Sequence, residues 1–207
     1  MVLLQEYNLP DKELLKFEES RVMTWVPDKT YVVIGQRDKP ETAVNLEFCI
    51  QESAEVLQRP SGGHAVVLTP NTLVIAMLHG NRKLPDIKKT FALSNNIIID
   101  ALEKLGVKSC EVKGVSDISI GDLKIAGSSM FFAKTKLFCH AVLNISENPD
   151  YIAQFLLHPA SEPEYRKKRK HGEFITSLAK QGYNIDIEKL QRDISKSFEK
   201  FVKLTCP

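Results

Sequence analysis

The chain has 207 residues, 43% hydrophobic and 26% charged, with a net charge of +2; this composition excludes a disordered or fibrous protein and suits one globular core. So mild a charge excludes wholesale binding to nucleic acid or membrane, and no stretch approaches the ~20 apolar residues of a membrane span. Four scattered cysteines, Cys49, Cys110, Cys139 and Cys206, with no Cys-x-x-Cys pair, exclude a zinc ribbon and a disulfide framework, so free thiols in a reducing, cytoplasmic setting are expected.

The N-terminal Met1-Val-Leu-Leu-Gln-Glu-Tyr does not have the pattern of a targeting segment. Asp11, after Pro10, is placed to cap a helix that carries Leu14, Leu15, Phe17 and Val22 and ends before Val26-Pro27. Residues 30–35 are β-branched and aromatic, which predicts a buried strand; 36–42 reads as a loop and 44–52 as a short helix. A strand at 55–57 then delivers Arg59 to the turn Pro60-Ser61-Gly62-Gly63. Residues 65–68 and 73–78 read as neighbouring, central strands about Pro70-Asn71.

After a polar connection at 79–85, Ile87, Phe91, Ile98, Ala101, Leu102 and Leu105 form one stripe that stops at Gly106, predicting a long helix. Strands at 110–115 and 117–120 lead into Gly121-Asp122 at hairpin spacing and a strand at 123–126, with Lys124 just past the turn. Gly127-Ser128-Ser129 reads as a second small-residue turn before strands at 129–132 and 137–145, paired antiparallel because the connections are too short for crossovers. Helices are expected at 150–157, at about 173–180 and at 186–202, the last with Ile187, Leu190, Ile194, Phe198 and Phe201 in register. Strands followed by helices argue for an α+β domain with a mixed, largely antiparallel sheet flanked by helices.

Two segments have the residue types for chemistry. The Arg59-Pro-Ser-Gly-Gly loop offers bare backbone to an anion or a ligand chain, and also reads as an ordinary turn. Lys124 among Leu123, Ile125 and Ala126 would act as an electrophile for a carboxylate or phosphoryl oxygen, though a strand lysine also reads as solvent-facing. His79, His158 and His171 lack metal-ligand spacing and read as surface or turn residues, so no metal site is expected. The basic run 166–170 reads as a solvated face, able to meet an acidic partner or a phosphate. Trp25 and the Phe131-Phe132 pair read as core.

Taken together, Arg-Pro-Ser-Gly-Gly-x-Ala-Val-Val from Arg59, Ser-Asp-Ile from Ser116, Gly-Asp-Leu-Lys-Ile-Ala-Gly-Ser-Ser from Gly121 and Cys-His-Ala-Val-Leu-Asn from Cys139 resemble the lipoate–protein ligase and octanoyltransferase family. The resemblance extends to Tyr31-Val-Val-Ile-Gly-Gln, Val44-Asn-Leu-Glu-Phe-Cys and the Tyr165-Arg-Lys-Lys-Arg segment, so it covers most of the chain. It implies a biotinyl/lipoyl-ligase-like catalytic domain over 1–207, with a helical C-terminal part from about 149 and no large accessory domain. It also implies attachment of lipoate or octanoate to a lysine of a lipoyl carrier protein, a lipoyl domain or H-protein, using ATP and Mg²⁺ by way of an acyl-adenylate.

Carried over residue by residue, Arg59, Ser61, Gly62, Gly63, His64, Gly127 and His140 would bind the acyl substrate, Lys124 would be catalytic, and Asp117 with Lys124 would meet the nucleotide. The sequence departs from the family at Gln58 (commonly Arg), His64 (Gly), Leu68-Thr69 (His-Asp), Ser116 (Asn) and Ala141 (His-Gly). A separate accessory subunit is one expected partner; nucleic acid and membrane are not. Two alternatives stay open. One is an octanoyl or lipoyl transferase working through a cysteine thioester without ATP, with Cys110 and Cys139 as candidate nucleophiles and Val112 at the nucleophile position of the amidotransferase branch. The other is a non-catalytic acyl- or carrier-binding homologue.

Overall fold

The computed structural model describes residues 4–80, 86–159 and 161–205. The connection expected at 81–85 and Cys206 lie outside the described residues.

Alternation along the strands builds the molecule in layers, because successive side chains point to opposite faces. One sheet has four strands in the order β1 (Leu4–Glu6), β4 (Glu55–Gln58), β3 (Tyr31–Ile34) and β5 (Val66–Leu68), with β4 parallel to both β1 and β3. The other has six: β2 (Arg21–Trp25), β6 (Thr72–His79), β10 (Lys136–Asn144), β9 (Leu123–Ala133), β8 (Asp117–Ile120) and β7 (Cys110–Lys113), antiparallel throughout. On β6, Leu73, Ile75 and Met77 face helices α3 (Ile87–Lys104) and α6 (Ile187–Thr205), while Val74, Ala76 and Leu78 face the other way. Val32, Ile34 and Val56 of the small sheet pack on α2 (Leu46–Gln51) and α4 (Pro149–Phe155), and Val33 and Leu57 face the large sheet. The two sheets are thus stacked between two helical layers, and the α+β expectation holds.

The differences from the sequence reading have local causes. The helix expected from Asp11 is a 3₁₀ turn, Pro10–Lys16, and 21–25 is strand β2. The β-branched and aromatic residues there pair with the apolar β6, which outweighs a weak helical period. Asp11 does not cap the turn, whose N-cap is Leu9; it is fully buried. Residues 40–42, expected as loop, belong to the short helix α1 (Pro40–Ala43), started by the proline. β5 and β6 are not neighbours: they belong to different sheets, and β5 is an edge strand.

Gly127–Ser129 is no turn but the middle of one long β9, paired residue for residue with β10. The helix expected at 173–180 shrinks to α5 (His171–Phe174), since the β-branched Ile175 and Thr176 go extended and bind beside Lys124. Phe132 is 42% exposed rather than core, and His79 is buried. Among the described residues no helix is long and apolar enough to cross a membrane.

Candidate active site

The sheets part to leave a cavity of about 390 Å³. Val33, Val66 and Leu68 line it from the small sheet, and Val74 and Val142 from the large one, so its long walls are apolar. Lys124, Gly127, Ser129 and His140 supply its polar features, with the β7–β8 turn at Ser116 along one rim.

The Ser-Gly-Gly loop closes one side. Gly63 has φ = +87°, a left-handed conformation that favours glycine. A Cβ on Gly35, at the end of β3, would lie 2.0 Å from the Gly63 carbonyl oxygen, so the loop rests directly on bare backbone. Arg59 is 3% exposed, and its guanidinium donates to the carbonyls of Val33 (3.0 Å), Gly62 (2.8 Å) and His64 (2.8 Å). Burial lowers its pKa to about 10, which leaves it charged at neutral pH. Arg59 therefore holds the loop in shape from the cavity wall.

Lys124 lies opposite. Its Nζ is 2.8 Å from Asp117 Oδ1, while Tyr165 Oη donates to Asp117 Oδ2 at 2.7 Å and Ser116 Oγ to Oδ1 at 3.3 Å. Burial and then the Asp117 charge raise the Tyr165 pKa, so this phenol stays a donor. A Cβ on Gly127 would sit 2.7 Å from Lys124 Nζ; the lysine folds back over a glycine. The Thr176 N–H donates to the Lys124 carbonyl at 2.8 Å, fixing this stretch of β9 from the C-terminal segment. A positioned cation beside an apolar cavity can stabilise charge on a carboxylate, a phosphoryl group or a tetrahedral oxyanion.

A polar chain that sequence reading missed closes the other end. Tyr7 Oη donates to Asp11 (2.7 and 3.0 Å), Asp11 Oδ2 is 3.4 Å from His140 Nδ1, His140 Nε2 is 2.9 Å from Ser61 Oγ, and Ser61 Oγ is 2.8 Å from Ser129 Oγ. The order serine, histidine, acid is that of a hydrolytic triad. Here, however, Ser61 is fully buried and shares its hydroxyl with Ser129, so it does not face the cavity as a triad serine would. No local signal marks Asp11 or Tyr7, because a capping aspartate and a buried one look alike in sequence.

Of the residues expected to bind the acyl group, Arg59, Gly63, His64, Gly127 and His140 line the cavity; Ser61 lies behind it, and Gly62 gives its carbonyl to Arg59. Neither candidate nucleophile lines it. Cys139 points into the α3–α6 core, where burial pushes its thiol up to about 12, and His140 points the opposite way, as alternation predicts. Cys110 is half-buried against the same core, its thiol raised to about 11 by burial and then by Glu103.

At the departures, Gln58 Nε2 ties down the carbonyls of residues 36 and 38, and Thr69 Oγ1 donates to Glu147 at 2.7 Å in a structural turn. Leu68 is cavity wall and Ala141 is core. Within the basic run, Arg166 is buried and paired with Glu162 rather than solvated. Among the described residues no group of three or more His, Cys, Asp or Glu side chains is arranged to hold a metal ion.

A family model, the lipoyl protein ligase A/B catalytic domain, matches residues 4–199. The chain belongs to this family. It is 27% identical over 161 residues to lipoate–protein ligase 1 of Staphylococcus aureus, covering 76% of this chain and 46% of that protein. The chain spans about half the length of the curated relatives it matches, 49% for the lipoate–protein ligase of Bacillus subtilis. In fold it is similar to a chain from a bi-partite lipoate protein ligase and its E2 lipoyl domain from Thermoplasma acidophilum (TM-score 0.78, 19% identity, 98% of this chain and 83% of that one). A lipoate–protein ligase A bound with ATP is similar to the same degree (TM-score 0.77, 18% identity, 98% and 84%).

Two outcomes are expected for this family member. In Gly127→Ala the new methyl meets the flexible end of Lys124, so the ammonium shifts off Asp117 at little cost in stability. The thermal melt should stay unchanged, and a marked drop in its midpoint would show that the lysine cannot move aside.

The second concerns pH. His171 has its pKa lowered from 6.5 to about 4, by burial first and then by the positive charges of Arg166, His158, Lys124 and His64. Below pH 6.5 the unfolded chain takes up a proton that the folded one refuses, so stability should be level above 6.5 and fall as pH drops toward about 4. Urea melts across that window should show the slope in the wild type and a flatter one in His171→Gln.

Proposed function

We propose that this chain attaches lipoate to the ε-amine of a lysine on a lipoyl carrier domain, by way of a lipoyl-adenylate made from ATP. The observation that carries the reading is Lys124, held at 2.8 Å from Asp117 at the polar end of an apolar cavity that no described cysteine lines. The apolar tail would lie between the valine walls, with its carboxylate at Lys124. Attack of that carboxylate on the α-phosphorus expels pyrophosphate; attack of the carrier amine on the acyl carbon then expels AMP, and the amine loses a proton. Lys124 offsets negative charge in both steps. Asp117 and Tyr165 keep its ammonium in place, and Mg²⁺ would enter on the ATP phosphates, as it does in nucleotide sites.

The names of the relatives support lipoate as the substrate, and the ATP-bound fold neighbour supports the nucleotide. A bi-partite fold neighbour supports a separate accessory subunit as partner, and the scattered thiols fit a reducing cytoplasm. Octanoate is the alternative acyl group. Incubation with lipoate, ATP, Mg²⁺ and a lipoyl carrier domain should add one lipoyl mass to the carrier. No adduct, with or without the candidate accessory polypeptide, sinks the proposal. A hydroxylamine-labile adduct on the enzyme that disappears in Cys110→Ser or Cys139→Ser would replace it with thioester transfer.

A further inference from the structure

Behind the end of the cavity opposite Lys124 lies a second cavity, of about 230 Å³. Tyr7, Arg59 and His140 line both. Arg59 is committed to two loop carbonyls and the Val33 carbonyl of β3, so the partition that can vary is the pair of rings. Tyr7 and His140 meet edge to face, centroids 5.9 Å apart, and the buried Asp11 holds both by their polar ends. Beyond them one side of the surface is apolar, the Phe138 ring 5.3 Å from His140 and the Phe131 ring 5.4 Å from Phe138 with Leu15 in the same lining, while Glu6, Lys12, Gln36 and Gln58 line the rest. His140 pairs with Ser129, two residues along β9 from the Gly127 over which the Lys124 ammonium folds, so wall and cation face the cavity from neighbouring strands.

We infer that Tyr7 and His140, pinned by Asp11, form the end wall that limits the length of acyl chain accepted, and that the cavity behind them would take a longer chain if the wall were opened. This rests on the reading of the first cavity as an acyl site. A chain that reached the wall would meet two rings anchored by buried hydrogen bonds, so it could not pass without breaking them. Opening the wall joins the first cavity to the Leu15, Phe131 and Phe138 side of the second, along which an extended alkyl chain can lie. Asp11 acts only through the rings and is a positioning residue.

The test is calorimetric titration of octanoate and dodecanoate into the wild type, Tyr7→Ala and Tyr7→Ala with Leu15→Trp, the last refilling the second cavity. The wild type should favour octanoate by about tenfold or more, the discrimination a closed apolar pocket exerts against extra methylenes. Tyr7→Ala should erase that preference, and adding Leu15→Trp should restore it. Equal binding of the two acids by the wild type overturns the inference without need of any variant. Retained octanoate preference in a folded Tyr7→Ala protein overturns it too, while leaving the acyl-site reading intact. Binding of neither acid by the wild type removes both.

Discussion

Lys124→Ala should lower carrier acylation by about 10²–10³-fold, the usual cost of removing one preorganised oxyanion donor. The lysine lines the apolar cavity from the middle of the large sheet, and its position is over-determined. Asp117 pairs with it, Gly127 leaves room beneath it, and Thr176 ties its backbone to the C-terminal segment. The fold should survive: Asp117 keeps the Tyr165 hydroxyl and Ser116, and the lysine side chain is 26% exposed, so water can replace the ammonium at a cost of about 1–2 kcal/mol. Single-turnover acylation by mass spectrometry beside a thermal melt separates the two effects. Activity within tenfold of wild type would mean that charge develops elsewhere and would reopen the reading of this chain as a binding homologue.

The second large effect is on stability. Arg59→Ala leaves the buried carbonyl of Val33 and the part-buried carbonyls of Gly62 and His64 without this donor, and an orphaned buried group costs about 1–3 kcal/mol. Since water can reach the Gly62 and His64 carbonyls, a loss of about 2–4 kcal/mol is expected, seen as a lower midpoint in urea at nearly constant slope. Arg59→Lys should recover only part of it, since one ammonium cannot reach carbonyls on both sides of the loop as a planar fork does. The acyl site should weaken in parallel, because the Gly63 carbonyl is held against Gly35 only while the loop keeps its shape. A melt within about 1 kcal/mol of wild type would show that the loop folds without the arginine.

The elements that sequence reading placed well are those whose pattern is long or whose punctuation is unambiguous. Helix α3 has its apolar stripe and its glycine stop, α6 its five-residue register, and the hairpin before Lys124 its Gly121 at φ = +57°. The misplaced elements are short and depend on distant partners. Residues 21–25 are a strand because β6 lies beside them, and Gly127–Ser129 continues β9 because β10 pairs with every residue of it. Ile175 and Thr176 leave the helix because Lys124 offers them a strand edge.

By itself the sequence determined the α+β class, the glycine loop and the lysine hairpin, because glycine conformations, turns and apolar periods are set by residues next to one another. Only the tertiary structure decided what those pieces enclose. It turned Arg59 inward onto three carbonyls, placed both candidate cysteines away from the cavity, and brought Tyr7 and Asp11 against His140, more than a hundred residues later. The reason is that a strand's period fixes which residues share a face, but not which other sheet that face meets.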